Sequence, residues 1–264
     1  MRHYREGEKL TYVMKGANEG RHYSLQADGI VKKEADGSFF EEFRWSDFVS
    51  DNQPVELSPA TLNFREQLSL DPNRRPALPD LSKVDPRLIG PVTDLMTFYV
   101  DDWMAAKSGK LVNAGDHYYL KRGTPNSWAD GSYILLGEDS IDFDFLLKNI
   151  DRTILMATLV VHHVPPETPE IKTPAEWMEK PVAGTRNNWV QIEKTQGGKF
   201  LGAAGKETFD VEIHLSLDDG RIISASMDNP LETVERVCDD VALTRCGDPQ
   251  SHAIFRRIEI SARR

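Results

Sequence analysis

Asp85–Gly109, DPRLIGPVTDLMTFYVDDWMAAKSG, is the one long segment of this chain with a clear helical period. Val92, Leu95, Met96, Tyr99 and Trp103 fall at i, i+3, i+4, i+7 and i+11, one stripe on a 3.6-residue helix. Thr93, Asp94, Thr97, Asp101 and Asp102 lie largely off that stripe. Asp85-Pro86 reads as a cap and first turn, Pro91 as a kink or restart, and Ser108-Gly109 as a stop. Nearly everything on either side reads as β-strand. The expected fold is therefore mainly β: a large curved antiparallel sheet or incomplete barrel, with one main amphipathic helix across its concave face.

Working outward from the helix, the N-terminal side reads as a meander. Leu10–Met14 and Tyr23–Val31 flank a turn at Ala17–Gly20, and Asp36-Gly37 is a hairpin signal. Phe39 to Trp45 alternates, and Leu62, Phe64, Leu68 and Leu70 continue a period of two. Asp71–Ser82, DPNRRPALPDLS, is a polar, Pro-rich connector. On the C-terminal side, His117–Lys121 reads as a short strand and Thr124–Gly131 as a turn region. Ile141, Phe143, Phe145 and Leu147 alternate with Asp142 and Asp144. Ile154–Val161 is apolar on both faces, as expected of a strand covered on two sides or facing an apolar cavity. Prolines punctuate the next connection, in which Ala175–Glu179 reads as a helical turn. Trp189–Glu193, Phe209–Leu217, Ile222–Met227 and Ala253–Ser261 complete about eleven or twelve strands. Strands do not alternate with helices, which excludes a regular parallel α/β sheet. So many hairpin-linked strands must curl, because twist accumulates. The concavity is the natural place for the helix stripe.

The chain has 264 residues, 28% of them charged, and a formal net charge of −10. That suits one domain over residues 1–264 with a sizeable core. No basic cluster marks a nucleic-acid partner. The longest apolar run is far too short to span a bilayer. Met1 is followed at once by charged residues, so no signal peptide is legible. A periplasmic or secreted protein without its leader is the expectation, with a cytoplasmic protein as the alternative.

Cys238 and Cys246 bear on that choice. On one straight strand they would lie about 26 Å apart at roughly 3.3 Å per residue, too far to bond. A departure from strand, which Asp239-Asp240 and Gly247-Asp248-Pro249 suggest, would bring them together. Both readings stand at this point: a bridge, pointing to an oxidising compartment, or two free thiols. The spacing fits no common zinc site.

The opening GEKLTYVMKG with its meander, the helix at Pro91–Lys107 and the late hairpin TFDVEIHLSLDDGRIISASM together resemble the bacterial lipoprotein-carrier (LolA-like) superfamily. That resemblance implies an incomplete antiparallel barrel with helices plugging its concave face and, for the carriers, an apolar cavity for acyl chains in the periplasm. The family is shorter, so the section around 108–205 reads as insertion-like. No functional residue of the family maps onto a position here.

No phosphate loop, dinucleotide fingerprint or nucleophile elbow is present. His162-His163 invites a metal, but neighbours on a strand point to opposite faces and cannot chelate one ion. Asp142 and Asp144 share a face, better explained as a solvated strand exterior than as a Ca²⁺ or acid–base pair. Ser127, His117 and Asp130 form a triad only on paper. The aromatic residues Tyr99, Trp103, Trp128, Trp177 and Trp189 read first as core fillers; as cavity lining they would suit an acyl chain, with Met96, Met104 and Met156 as adaptable packing. The expected ligand-contacting set is Leu95, Met96, Tyr99, Trp103, Met156 and Trp189. The expected function is non-enzymatic binding of an apolar, lipid-like ligand in the bacterial envelope, or else a structural module docking an envelope protein. No cofactor, metal or catalytic residue is expected.

Overall fold

A computed structural model describes the chain except residues 19–20, 82–83, 125–127, 130–132, 138–140, 170, 196 and 264. In the N-terminal third, β1 (Lys9–Asn18), β2 (Arg21–Lys33) and β3 (Phe39–Ser50) form a meander, followed by β4 (Gln53–Pro54), α1 (Pro59–Asn63) and β5 (Glu66–Leu68). The long helix α2 (Pro86–Ser108) comes next. After it run β6 (His117–Thr124), β7 (Trp128–Ala129), β8 (Tyr133–Gly137), β9 (Ile141–Asp151), β10 (Met156–Val164) and β11 (Asn187–Lys194). The last elements are β12 (Phe200–Glu207), β13 (Asp210–Ser216), β14 (Ile222–Cys238) and β15 (Gln250–Ala262). They form one antiparallel sheet that does not close into a barrel.

The sheet forks. From β4 the order runs β3, β2, β1, β15 and β14. The first half of β14 then pairs with β13, which leads to β10, β9 and β6. Its second half pairs with β12, which leads to β11, β8 and β7. The pairing switches between Asp228, opposite Asp210, and Leu231, opposite Glu207. Pro230 sits in that gap. A proline has no N–H for a ladder, so it is tolerated where neither arm asks for one.

Alternation gives the sheet its inner face. Tyr12 and Met14 of β1, Phe43 and Trp45 of β3, Phe143 and Phe145 of β9, and Leu159 and Val161 of β10 are all buried in one core with Leu88, Val92, Leu95, Phe98 and Tyr99 of α2. Strands so distant in sheet order can share one helix only if the sheet curls around it. The helix therefore lies in the concavity. Asp85 caps it, accepting from Arg87 N at 3.0 Å, with Pro86 in the first turn. Gly109, at φ 62°, stops it in the left-handed conformation. It runs unbroken through Pro91 rather than restarting there. The carbonyl that Pro91 leaves without its helical partner belongs to Arg87, which is exposed.

Three local expectations are corrected. Leu62–Leu70 is not one strand: Ser58 caps α1 with Pro59 in its first turn, so only Glu66–Leu68 pairs with β3. Ile154 and Leu155 are not in a covered strand but turn into β10, 60% and 45% exposed. Phe200–Glu207 is a strand that its glycines concealed.

The second arm has a core of its own on the face away from α2. Val190, Ile192, Cys238 and Leu243 pack there with Ala175 and Met178 from a strap at residues 171–181. After Cys238 the chain reverses, with Asp239 N bonded to Arg245 O and Gly247 N to Val237 O. The reversal sets Cys246 opposite Cys238, and the two form a disulfide. Closing so short a loop is worth about 2–3 kcal/mol in the chain-entropy account. Reduction should therefore lower the unfolding free energy read from urea titration by that amount and expose the strap to protease before the main core. Uniform proteolysis of both cores would contradict this.

Candidate functional site

The helix reaches the sheet through polar contacts as well as apolar ones. Asp94, Asp101 and Asp102, off the apolar stripe, are nonetheless buried, at 4%, 1% and 5% exposure. Asp94 takes both its carboxylate contacts from Arg256 Nη2, at 3.0 and 2.9 Å. Arg256 Nη1 donates to Asn229 Oδ1 at 2.9 Å, and Asn229 Nδ2 donates to Glu207 Oε2 at 3.2 Å. One face further along, Asp101 holds His163 Nε2 at 2.9 Å, and Asn187 Nδ2 donates to the His163 carbonyl at 3.2 Å. Arg256, Asn229, Glu207, His163 and Asn187 come from five strands. They meet where the sheet forks, because there the ladder opens and side chains must satisfy what the backbone does not. Thr208 N and Asn229 Nδ2 accordingly close onto the carbonyls of Pro230 and Thr208. Tyr23 extends toward this cluster across Gly16, where a Cβ would lie 2.4 Å from its hydroxyl.

A second buried group sits toward β3. Arg2 reaches Glu41 at 3.4 Å, Glu8 at 2.8 Å and Asp219 at 3.1 Å. Trp45 Nε1 donates to Glu66 Oε2 at 3.1 Å. Burial pushes Glu41, Asp102 and Glu207 each up to about 7. It raises Asp94 as well, against the pull of Arg256, and lifts Glu66 well above the usual range. Such values suit acid–base work. However, three of the best-formed clefts among the described residues are not lined by Asp94, Asp101, His163, Glu207 or Arg256. Their geometry is that of a seat for the helix.

The residues expected to contact a ligand are dispersed. Leu95 and Tyr99 are fully buried in the main core, Tyr99 edge-on to Phe43 at 5.9 Å. Met96 and Trp103 lie half-buried at its margin. Trp103 Nε1 donates to Asp71 O at 2.9 Å, with Lys107 over its ring, so it clamps the Pro-rich connector onto the helix. Met104 is also buried there, whereas Met156 is half-buried in β10 outside that core. Of the paper triad, Ser127 and Asp130 lie outside the described residues; the side chain of Trp128 does too. His162 and His163 point to opposite faces: His162 pairs with Asp210, His163 with Asp101. Among the described residues no cluster of His, Cys, Asp or Glu could hold a metal ion.

A cleft of about 350 Å³ opens instead between the strap and the second arm. Its floor is two rows set by strand register. One is Asn188, Lys206, Glu232 and Ala253; the next is Val190, Ala204, Val234 and Ser251. Five of these eight are Ala, Ser or Val, and small side chains leave the space. The roof is Ile171, Thr173, Glu179 and Pro181. Asn188 pins the strap through both backbone groups of Val182, at 2.9 and 3.0 Å. Lys206 pairs with Glu179, and Trp177 Nε1 donates to Leu243 O at 3.0 Å beside the disulfide loop. Trp189 belongs to the row between. Alternation turns its ring to the helix-side face, over Gly205, where a Cβ would lie 2.2 Å from Cζ2. Periodicity could not find this cleft, because its walls are far apart in sequence.

Compared with known proteins, the chain matches no family model, no curated protein and no solved structure.

Proposed function

We propose that the protein is a non-enzymatic binding protein for an apolar or lipid-like small molecule, held under the strap. The observation that carries this reading is the preformed cleft of about 350 Å³ with a floor of small side chains. Its volume falls in the range of small-molecule sites, about 300–1,000 Å³. Apolar area buried there would contribute about 25 cal/mol per Å². The concavity itself is a poorer place for the ligand. Leu88, Leu95 and Phe98 fill it at 0% exposure, and the buried Arg256–Asp94 ion pair and the His163–Asp101 hydrogen bond fix the helix across it. The curved open sheet with a helix in its concavity is the arrangement that a lipoprotein-carrier resemblance implies. The disulfide supports an oxidising compartment such as a periplasm. No helix in the described residues is long and apolar enough to cross a membrane.

Native mass spectrometry of freshly purified protein, followed by organic extraction, tests the reading together with titration by the neutral fluorophore N-phenylnaphthylamine. One apolar ligand per chain, or saturable uptake of the probe, is expected. Ala253→Leu adds bulk to the floor at an exposed strand position. It should weaken the probe about tenfold with the urea midpoint unchanged, since filling a site removes binding without touching the core. A bare chain that takes up no probe would sink the reading and leave the curved sheet as a docking scaffold.

A further inference from the structure

The chain is strongly acidic, yet three guanidinium groups line one groove. Arg65, Arg74 and Arg75 gather around a space of about 500 Å³ between α1 and the Pro-rich connector. Two of the three are held in place. Arg65 Nη1 donates to Leu62 O at 2.9 Å and Phe64 O at 2.6 Å. No partner among the described residues occupies its Nε or Nη2. Arg74 donates to Glu34 at 2.9 Å and Gln67 at 3.1 Å, and lies over the Phe40 ring at 4.4 Å. Arg75, exposed next to it, has no partner among the described residues.

Packing explains Arg74: it joins the turn after β2 to β5 and β3. It does not explain Arg75, which adds a like charge beside Arg74 and returns no internal contact. Glu34 offsets Arg74, and Asp80 in the lining has a contact of its own. The remaining excess is positive. The wall is also stiff, because Pro76 and Pro79 fix their φ angles, so little ordering is needed on binding. Planar forks with free donors, already in position, match the paired oxygens of a phosphate or carboxylate. Phe64, half-buried, and Leu78, 44% exposed, offer apolar surface in the same groove.

We propose that this groove is a binding site for an oxyanion, a phosphate or a carboxylate, separate from the cleft under the strap. The oxyanion is either a free ion or the head of an amphiphile whose tail lies on Phe64 and Leu78.

The test is calorimetric titration of the oxidised full chain with inorganic phosphate and, separately, dodecyl phosphate below its critical micelle concentration. Saturable binding of at least one is expected, weaker at high salt. Arg75→Gln should weaken it about tenfold or more, the scale of a lost hydrogen bond to a charged group. Arg75→Lys should restore part of it. The exposed position leaves the fold intact, which the urea midpoint checks. Much tighter binding of dodecyl phosphate assigns the source as an amphiphile; equal binding assigns a free anion. The Ala253→Leu variant should bind inorganic phosphate as the parent does, so the cleft under the strap can fail its own test without touching this one. No saturable binding of either probe, or binding that Arg75→Gln leaves unchanged, overturns the proposal.

Discussion

Arg256→Met should destabilise the protein by about 3–5 kcal/mol, the usual cost of leaving one member of a buried ion pair alone. Asp94 is 4% exposed and both its oxygens rest on Arg256 Nη2. Without the guanidinium, the aspartate must either stay charged in the core or take up a proton. Asn229 loses its donor at Oδ1, and Glu207, one hydrogen bond further on, loses the nearest positive charge. Methionine keeps the stem volume, so the loss reports the ion pair rather than a cavity. At roughly 2–4 °C per kcal/mol for a chain of this size, the melting temperature should fall by about 10 °C. The companion Asp94→Leu/Arg256→Met variant should lose far less than the two single changes combined, because it leaves no unpaired charge. A single-variant loss under about 1 kcal/mol would mean that Arg256 does not hold the helix. The same pair bears on function. A helix fixed to β15 by Arg256 and to β10 by His163 does not lift from the concavity without breaking both contacts, which is why the ligand is placed under the strap.

The sequence period reveals the helix because Val92, Leu95, Met96, Tyr99 and Trp103 repeat within the segment, and its caps are local. The curl of the sheet follows from many short strands joined by tight turns. What stays hidden is whatever depends on partners far along the chain. Asp94 and Asp101 are seven residues apart and so share a face, a polar stripe that reads as solvent-facing. Their partners lie 162 and 62 residues away, and only the fork brings them under the helix. The fork itself is hidden because Asn229-Pro230 looks like the end of a strand, whereas β14 runs on through Pro230 beside β15, and proline is admitted because neither arm pairs with it. Gly202 and Gly205 dilute the pattern of β12 for a related reason. They make room for Leu243 and for Trp189 lying across the strand. Trp189 borders the cleft with its ring stacked over Gly205. The strap cleft needs four strands in register beneath a proline-rich connection, and no local pattern encodes that.

Raising the pH from 5 to 8 should weaken the fold by several kcal/mol. Glu41, Asp102 and Glu207 are 0%, 5% and 9% exposed, and burial lifts each to about 7 from ordinary values near 4.5 for glutamate and 3.8 for aspartate. A group whose folded value is raised holds its proton in the folded chain while the unfolded chain has already released it. Its contribution to stability is complete below the unfolded value and is lost as pH rises through the folded one. Each pH unit in that window costs about 1.4 kcal/mol per group, at most about 3–4 kcal/mol for each across the window. Asp36, Asp85, Asp116 and Asp240 run the other way, held below their usual range chiefly by hydrogen bonds. They are exposed or nearly so, and their effect falls below pH 4. The optimum should therefore lie near pH 5 rather than at neutrality. Urea unfolding at pH 5, 6, 7 and 8 reads this directly. Glu207→Gln separates one contributor: the amide oxygen still accepts from Asn229, and no proton is released. That variant should match the parent at pH 5 to within about 1 kcal/mol and exceed it at pH 8 by about 2–3 kcal/mol. Stability that rises between pH 5 and 8, or a variant parallel to the parent throughout, would mean that these carboxyls reach water in the folded chain and that the helix seat is wetter than its geometry implies.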